Sequence, residues 1–328
     1  MRPGVWLIAV LAMGCGQARG DGDGTTDELG ETEDVSVDTG GEPVDPAEPI
    51  YEVGVYETVI GASDDPATVH FPVGEGVFPV VLLLQGANVG RVYYSAFAGI
   101  VASYGFVVVV PDHESTGIMG TGLYAQQSEI EDVLEHMRGE AADPGSPVAG
   151  IVDAGRLVVV GHSYGGVCGL GAIRDVCQVP FCTGGLSRPV ELVAGAFWGT
   201  NLAMPIVGTV PVIENDSIPV ALIQGSMDSL ASMEDARETY DRIQDPPRIL
   251  VEVAGADHYS ICDVDDPEGA QADPAVPSID RAVGIETIGR WMALFLRAHV
   301  LGEVGAWTYV HVDGDGLDPN ARVVIQQP

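Results

Sequence analysis

Apolar and polar positions alternate over residues 51–59 and again over 67–72, which predicts two early strands. The pattern then changes. Residues 78–84, 106–110, 157–160, 190–197, 220–223 and 249–253 are continuous apolar runs, rich in Val and Leu and bounded by Gly and Pro. Such runs predict strands buried on both faces. Between several of them the apolar residues fall at three- and four-residue steps, which predicts helices. Residues 94–104 carry Phe97, Ile100 and Val101, and 128–138 carry Ile130, Val133, Leu134 and Met137. The strongest helix pattern is 285–300, with Ile288, Trp291, Leu294, Phe295 and His299. Strand and helix alternating over this length predict an α/β domain at 50–302. Its sheet is doubly wound and mostly parallel, with helices on both faces, and its chemistry gathers at the carboxyl ends of the strands. In the tail, 303–328, two short apolar runs (307–312 and 322–325) flank an acidic turn at 313–318, a pattern that fits a terminal hairpin. The turn lacks the spacing of acids that a calcium-binding EF-hand loop requires.

The amino terminus reads differently. Arg2 precedes an apolar run at 5–13, followed by small residues, which is the layout of an export signal. The run is shorter than the ~20 residues that cross a bilayer. Leu11-Ala12-Met13-Gly14-Cys15 resembles the lipobox of bacterial lipoproteins. That resemblance implies that residues 1–15 are a lipoprotein signal and that Cys15 carries lipid, anchoring an exported cell-envelope protein to a membrane. The alternative is an ordinary signal peptide and a secreted chain. Residues 16–49 are Gly, Asp, Glu, Thr and Pro with almost no large apolar side chain, a composition that reads as a disordered acidic linker. As a random coil it spans about 30 Å, and more when charge-extended.

Charge narrows the function classes. The net charge is -34, the chain has no lysine, and all 14 basic residues are arginine. Schiff-base lysine, P-loop lysine and Ser-Lys chemistry are therefore excluded. So acidic a chain is repelled by phosphate backbones, which argues against nucleic-acid binding. The excess acid fits either solubility or adaptation to salty surroundings. Four cysteines follow Cys15. Of these, Cys177 and Cys182 flank a Pro-containing turn and are the favoured pair, and no cysteine spacing suggests zinc.

The candidate chemistry lies at Gly161-His162-Ser163-Tyr164-Gly165. In a chain with 43 glycines the G-x-S-x-G match alone carries little weight. Its context carries more: a buried strand ends at Gly161 and a helix-capable stretch begins after Ser163, the strand–turn–helix of a nucleophile elbow. A serine nucleophile needs a base and an orienting acid, here in the chain order Ser, Asp, His. His258 sits in a loop just past the strand at 249–253, where the base belongs. His299 lies on the apolar stripe of the last helix and His311 in the tail run. His162 is at the variable position of the elbow, while His113 and His136 precede Ser163. Asp228 follows the strand at 220–223 and is the candidate acid, ahead of Asp235, Asp241 and Asp257. An oxyanion hole would use the backbone N–H groups of Tyr164 and of Ala87, in the loop Gln85-Gly86-Ala87-Asn88.

Residues 78–86, Tyr93-Tyr94, 101–111 and 153–166, together with the Asp228 and His258 segments, resemble chlorophyllase-like and dienelactone-hydrolase-like α/β-hydrolases. They also resemble bacterial cutinases and polyester hydrolases. The resemblance covers roughly residues 51–300 and implies an α/β-hydrolase fold and serine-dependent cleavage of a small or polymeric carboxylic ester, with no metal or organic cofactor. Three features depart from these families. Gln85 stands where His usually precedes the loop glycine, His162 replaces an aromatic residue of the polyester hydrolases, and no long lid insertion is present. Trp198 matches a substrate-wall aromatic of the cutinase-like members, with core packing as the other reading. The same scaffold also accommodates a serine peptidase, an acyltransferase or a non-catalytic surface binding protein.

Overall fold

The computed structural model describes Asp45 and residues 47–328, except 118–119, 186 and 204–208. The export signal with Cys15 and almost all of the acidic linker lie outside the described residues.

One nine-stranded sheet organises the rest. Its strands are β1 (Glu52–Ile60), β2 (Asp65–Val73), β3 (Phe78–Leu84), β4 (Val107–Pro111), β7 (Val152–His162), β8 (Leu192–Trp198), β9 (Val220–Gly225), β10 (Arg248–Val253) and β11 (Ala321–Gln327). They lie in the order β1-β2-β4-β3-β7-β8-β9-β10-β11. From β4 to β10 neighbours run parallel, and antiparallel pairs close both edges. The continuous apolar runs follow from this. In β3, Val80, Leu82 and Leu84 enter the core on one face while Val81 and Leu83 enter the other, and all seven residues of the strand are buried. Helices cover both faces, as the alternating pattern predicts. Against one face lie α1 (Ser95–Ser103) and α5 (Arg281–Leu296); against the other lie α2 (Glu129–Ala142), α3 (Tyr164–Ile173) and α4 (Met233–Arg242). A separate small hairpin, β5 (Glu114–Gly117) with β6 (Gly120–Leu123), follows β4. Cys177 and Cys182 form the disulfide, whereas Cys168 and Cys262 are buried thiols.

The tail corrects the hairpin expectation. Residues 322–325 do form a strand, but β11 pairs with β10 and not with 307–312. The latter segment lies in a helical run made of α6 (Val304–Thr308), a π-turn (Tyr309–Asp313) and α7 (Gly314–Leu317). Burial explains the error. Ala306, Tyr309 and Val310 face the core, whereas Trp307 and Val312 are exposed, which is helical rather than alternating spacing. In so short an apolar run the two periods are hard to separate. The acidic turn is absorbed likewise. Asp318, almost fully buried, accepts hydrogen bonds from Arg290 Nη2 (2.9 Å) and Trp291 Nε1 (2.8 Å), pinning the tail to α5.

Two predictions follow from buried carboxyl groups. Asp318→Ala leaves Arg290 and Trp291 without their shared acceptor and is expected to cost about 3–5 kcal/mol in urea unfolding. Glu129, in the first turn of α2, is fully buried. Its Oε1 accepts the Gln126 N–H at 2.6 Å, and its Oε2 has no partner among the described residues. Burial pushes this carboxyl up to about 8, with nearby His113 opposing. Above the ordinary value of 4.5 the unfolded chain has released this proton while the native state still holds it. Stability is therefore lost as pH rises toward 8, by about 1.4 kcal/mol per pH unit. Glu129→Gln keeps the Oε1 acceptor and removes the titration. Its stability relative to the parent is expected to climb between about pH 5 and pH 8, measured by urea unfolding across that range.

Candidate active site

The site begins with a reversal of the chain. β7 ends at His162, α3 begins at Tyr164, and Ser163 between them holds φ 52° and ψ -115°. Positive φ at a non-glycine residue is strained and persists only where the surroundings impose it. Here the Ser163 N–H donates to the Trp198 carbonyl (2.9 Å) and the Thr200 hydroxyl donates to the Ser163 carbonyl (3.2 Å). The flanking glycines are required by space. A Cβ on Gly161 would lie 2.6 Å from Gly166 Cα, and one on Gly165 would overlap the carbonyl oxygen of Leu84. The start of α3 thus presses against the end of β3, with its positive end toward the serine.

Asp228 and His258 come from the loops after β9 and β10. These strands are parallel neighbours with Gly225 opposite Val253, so the two loops leave the sheet side by side. Asp228 Oδ2 lies 2.8 Å from His258 Nδ1, and both side chains are almost completely buried. The carboxylate also accepts Gln224 Nε2 (2.9 Å) and the N–H groups of Leu230 (2.9 Å) and Ala231 (2.7 Å). So held, it has one orientation toward the imidazole. Ser163 and His258 line the same two cavities, of about 340 and 460 Å³, and Ala87 lines both as well. The Gly86 N–H is taken by Tyr94 Oη (2.9 Å). Tyr164 opens α3 and has no i−4 helical carbonyl to bond.

Three buried residues hold His258 in ways that sequence reasoning missed. His162 is fully buried, and burial first, then the neighbouring His258, pushes its pKa well below the ordinary value. Tyr94 accepts from Gly86 and so donates to His162 Nδ1 (2.9 Å), which leaves Nε2–H of His162 to donate to the His258 carbonyl (3.1 Å). The variable position of the elbow is thus a strut between the Gly86 loop and the His258 loop. Trp198 is the second. It is fully buried, it lines neither cavity, and its Nε1–H donates to the same carbonyl at 2.8 Å. This corrects the reading of Trp198 as a substrate wall in favour of core packing. The third is Asp273, which accepts the His258 N–H (3.0 Å) and both the N–H and hydroxyl of Ser229. Burial raises its pKa, but these bonds and that from Ala275 outweigh burial and hold it below the ordinary value. Nothing in the acid-rich segment 263–273 distinguishes Asp273 in the sequence. The paired polar groups at Gly86, Tyr94 and His162 could be found only with the fold in hand.

Gln85, the departure from the expected histidine, is buried and donates through Nε2 to the His113 carbonyl (3.1 Å). Asn88 braces the same loop from the other side, exchanging bonds with the backbone of Leu123 in β6. His299 and His311 pair with each other at the tail, Nε2 to Nε2 at 2.9 Å, and take no part in the site.

Replacing His162 by Leu strands the Tyr94 hydroxyl in the core and removes one of the two donors on the His258 carbonyl. The expected loss is about 1–3 kcal/mol of stability, read from urea unfolding.

Comparison with known proteins agrees with this architecture. No curated protein matches the sequence. The model of the chlorophyllase family matches residues 49–231, more than half of the chain, spanning β1 through the Ser163 turn to the Asp228 loop. With its mostly parallel sheet, its helices on both faces and a serine on the strained turn between β7 and α3, this chain belongs to the chlorophyllase family and has an α/β-hydrolase fold.

Proposed function

We propose that the protein is a serine hydrolase of carboxylic esters, with Ser163 as nucleophile, His258 as base and Asp228 as the acid that orients it. The observation that carries this reading is the buried 2.8 Å bond between Asp228 and His258, in a cleft shared with a serine on a strained strand-to-helix turn. Nδ1–H of His258 is committed to Asp228, so Nε2 is the atom free to accept a proton. Ser163 Oγ attacks the ester carbonyl carbon as His258 Nε2 takes its proton. Negative charge moves to the carbonyl oxygen, which the N–H groups of Ala87 and Tyr164 stabilise. The intermediate collapses, the C–O bond to the alcohol breaks, and His258 returns the proton to the departing oxygen. Water then attacks the acyl-serine by the same proton path and releases the acid. Asp228 stabilises the imidazolium in both steps.

The same reading extends to location. The signal-like amino terminus and Cys15 support export and lipid anchoring of a cell-envelope protein, with the acidic linker as a spacer. The Cys177–Cys182 disulfide fits passage through an oxidising compartment.

Hydrolysis of 4-nitrophenyl esters tests the assignment. Ser163→Ala and His258→Ala are each expected to lower kcat by about 10⁶-fold, and Asp228→Asn by about 10⁴-fold, with little change in KM. Turnover surviving in Ser163→Ala would assign the chemistry elsewhere.

A further inference from the structure

The two cavities that meet at Ser163 and His258 differ in chemistry. The smaller, about 340 Å³, adds Asn88, Tyr124, Tyr259 and Gln271 to the shared residues, so its wall offers amide and phenol groups. The larger, about 460 Å³, adds Val167, Phe181, Ala203 and Ala231, a mainly apolar wall edged by Tyr164 and Asn201. Histidine apart, no residue lining either cavity among the described residues can carry positive charge, and the larger one includes the carboxylate of Asp235. Further carboxylates stand close behind. Asp266, Asp273 and Asp228 act on Tyr259 in the smaller cavity, adding to burial in raising its pKa. A cleft lined by one sign of charge within low-dielectric walls focuses that field on whatever enters.

Resting on the serine-esterase reading, we propose that the site takes uncharged esters, apolar on one side of the carbonyl and hydrogen-bonding on the other, and turns away esters that carry a carboxylate. The apolar half fills the cavity beside Val167 and Phe181, and the polar half meets Asn88, Tyr124 and Gln271. A carboxylate in either cavity finds no cation to replace its water, and it must approach through a negative potential.

The test compares 4-nitrophenyl butyrate with mono-4-nitrophenyl succinate on the full chain. These share a leaving group and an acyl length and differ in one charge. At low salt kcat/KM for the butyrate is expected to exceed that for the succinate by at least about tenfold. The ratio narrows at high salt, where the repulsion is screened, and narrows in Asp235→Asn. Equal or faster cleavage of the succinate overturns the proposal, and so does a preference that neither salt nor Asp235→Asn moves, because shape and not charge would then set it. A second comparison addresses the polar half: glyceryl monobutyrate is expected to be cleaved severalfold faster than butyl butyrate, and the reverse order overturns that assignment. If the folded protein cleaves none of the four, the serine-esterase reading itself fails, a result distinct from a wrong order among esters that are cleaved.

Discussion

The backbone reversal at Ser163 is the constraint on which the site depends. A residue with a side chain must sit at φ 52°, at a cost on the order of 1–3 kcal/mol. The turn persists because elements on either side leave it no alternative. The end of β3 excludes any side chain at Gly165, and the end of β8 binds the serine through the Trp198 carbonyl. The buried parallel strands that hold these ends in register are therefore part of the site. Their apolar packing fixes the backbone atoms around the serine more tightly than a loop of its own could. The same turn sets the direction of α3, so one local strain accounts for the serine's place on the cleft wall and the positive helix end behind it.

A second restraint acts on His258, the proposed base. The His258 carbonyl accepts two ring N–H donors, from His162 and Trp198, while its own N–H is held by Asp273. The backbone of this loop residue is thereby fixed on both sides, and Asp228 fixes the ring. Placing a loop residue with such accuracy requires buried, fully bonded polar groups, and a neutral His162 supplies one donor and one acceptor at the two ends of a single ring. Tyr94 completes the link by joining His162 to Gly86, so the loop that carries Ala87 and the loop that carries His258 are tied through one buried chain of hydrogen bonds.

This division explains what could be read from the sequence. The sheet was legible because strands buried on both faces leave continuous apolar runs, and the loops that carry Ser163, Asp228 and His258 were legible because each lies just beyond such a run. The tail was misread because 307–312 is too short for its period to be decided, and its helical form depends on Tyr309 and Asp318 docking onto Trp291 of α5. The struts were missed for a different reason. His162, Trp198 and Asp273 act through bonds to residues 96, 60 and 15 positions away, and such pairings leave no local pattern. Trp198 shows the limit of reasoning from resemblance. The position matched, yet its indole points to a backbone carbonyl and not into the cleft.

The arginines complete the electrostatic picture. In a chain without lysine they are the only permanent cations, and most of those in the described residues are engaged by carboxylates. Arg91 pairs with Asp112 and Glu57, Arg138 with Glu191, Arg156 with Asp153, Arg290 with Glu286 and Asp318, and Arg322 with Glu252. These pairs sit at turns, on helix faces and on the edge strand, where they stitch the perimeter of the fold. None of these arginines lines either of the two cavities around Ser163. The positive charge available is thus used for architecture, and the cleft keeps the negative character of the whole chain. Within that cleft the proposed oxyanion site rests on backbone dipoles, at Ala87 and at the start of α3. Such dipoles favour charge that arises at one point during reaction and add little to the attraction of a charge already present on an incoming molecule.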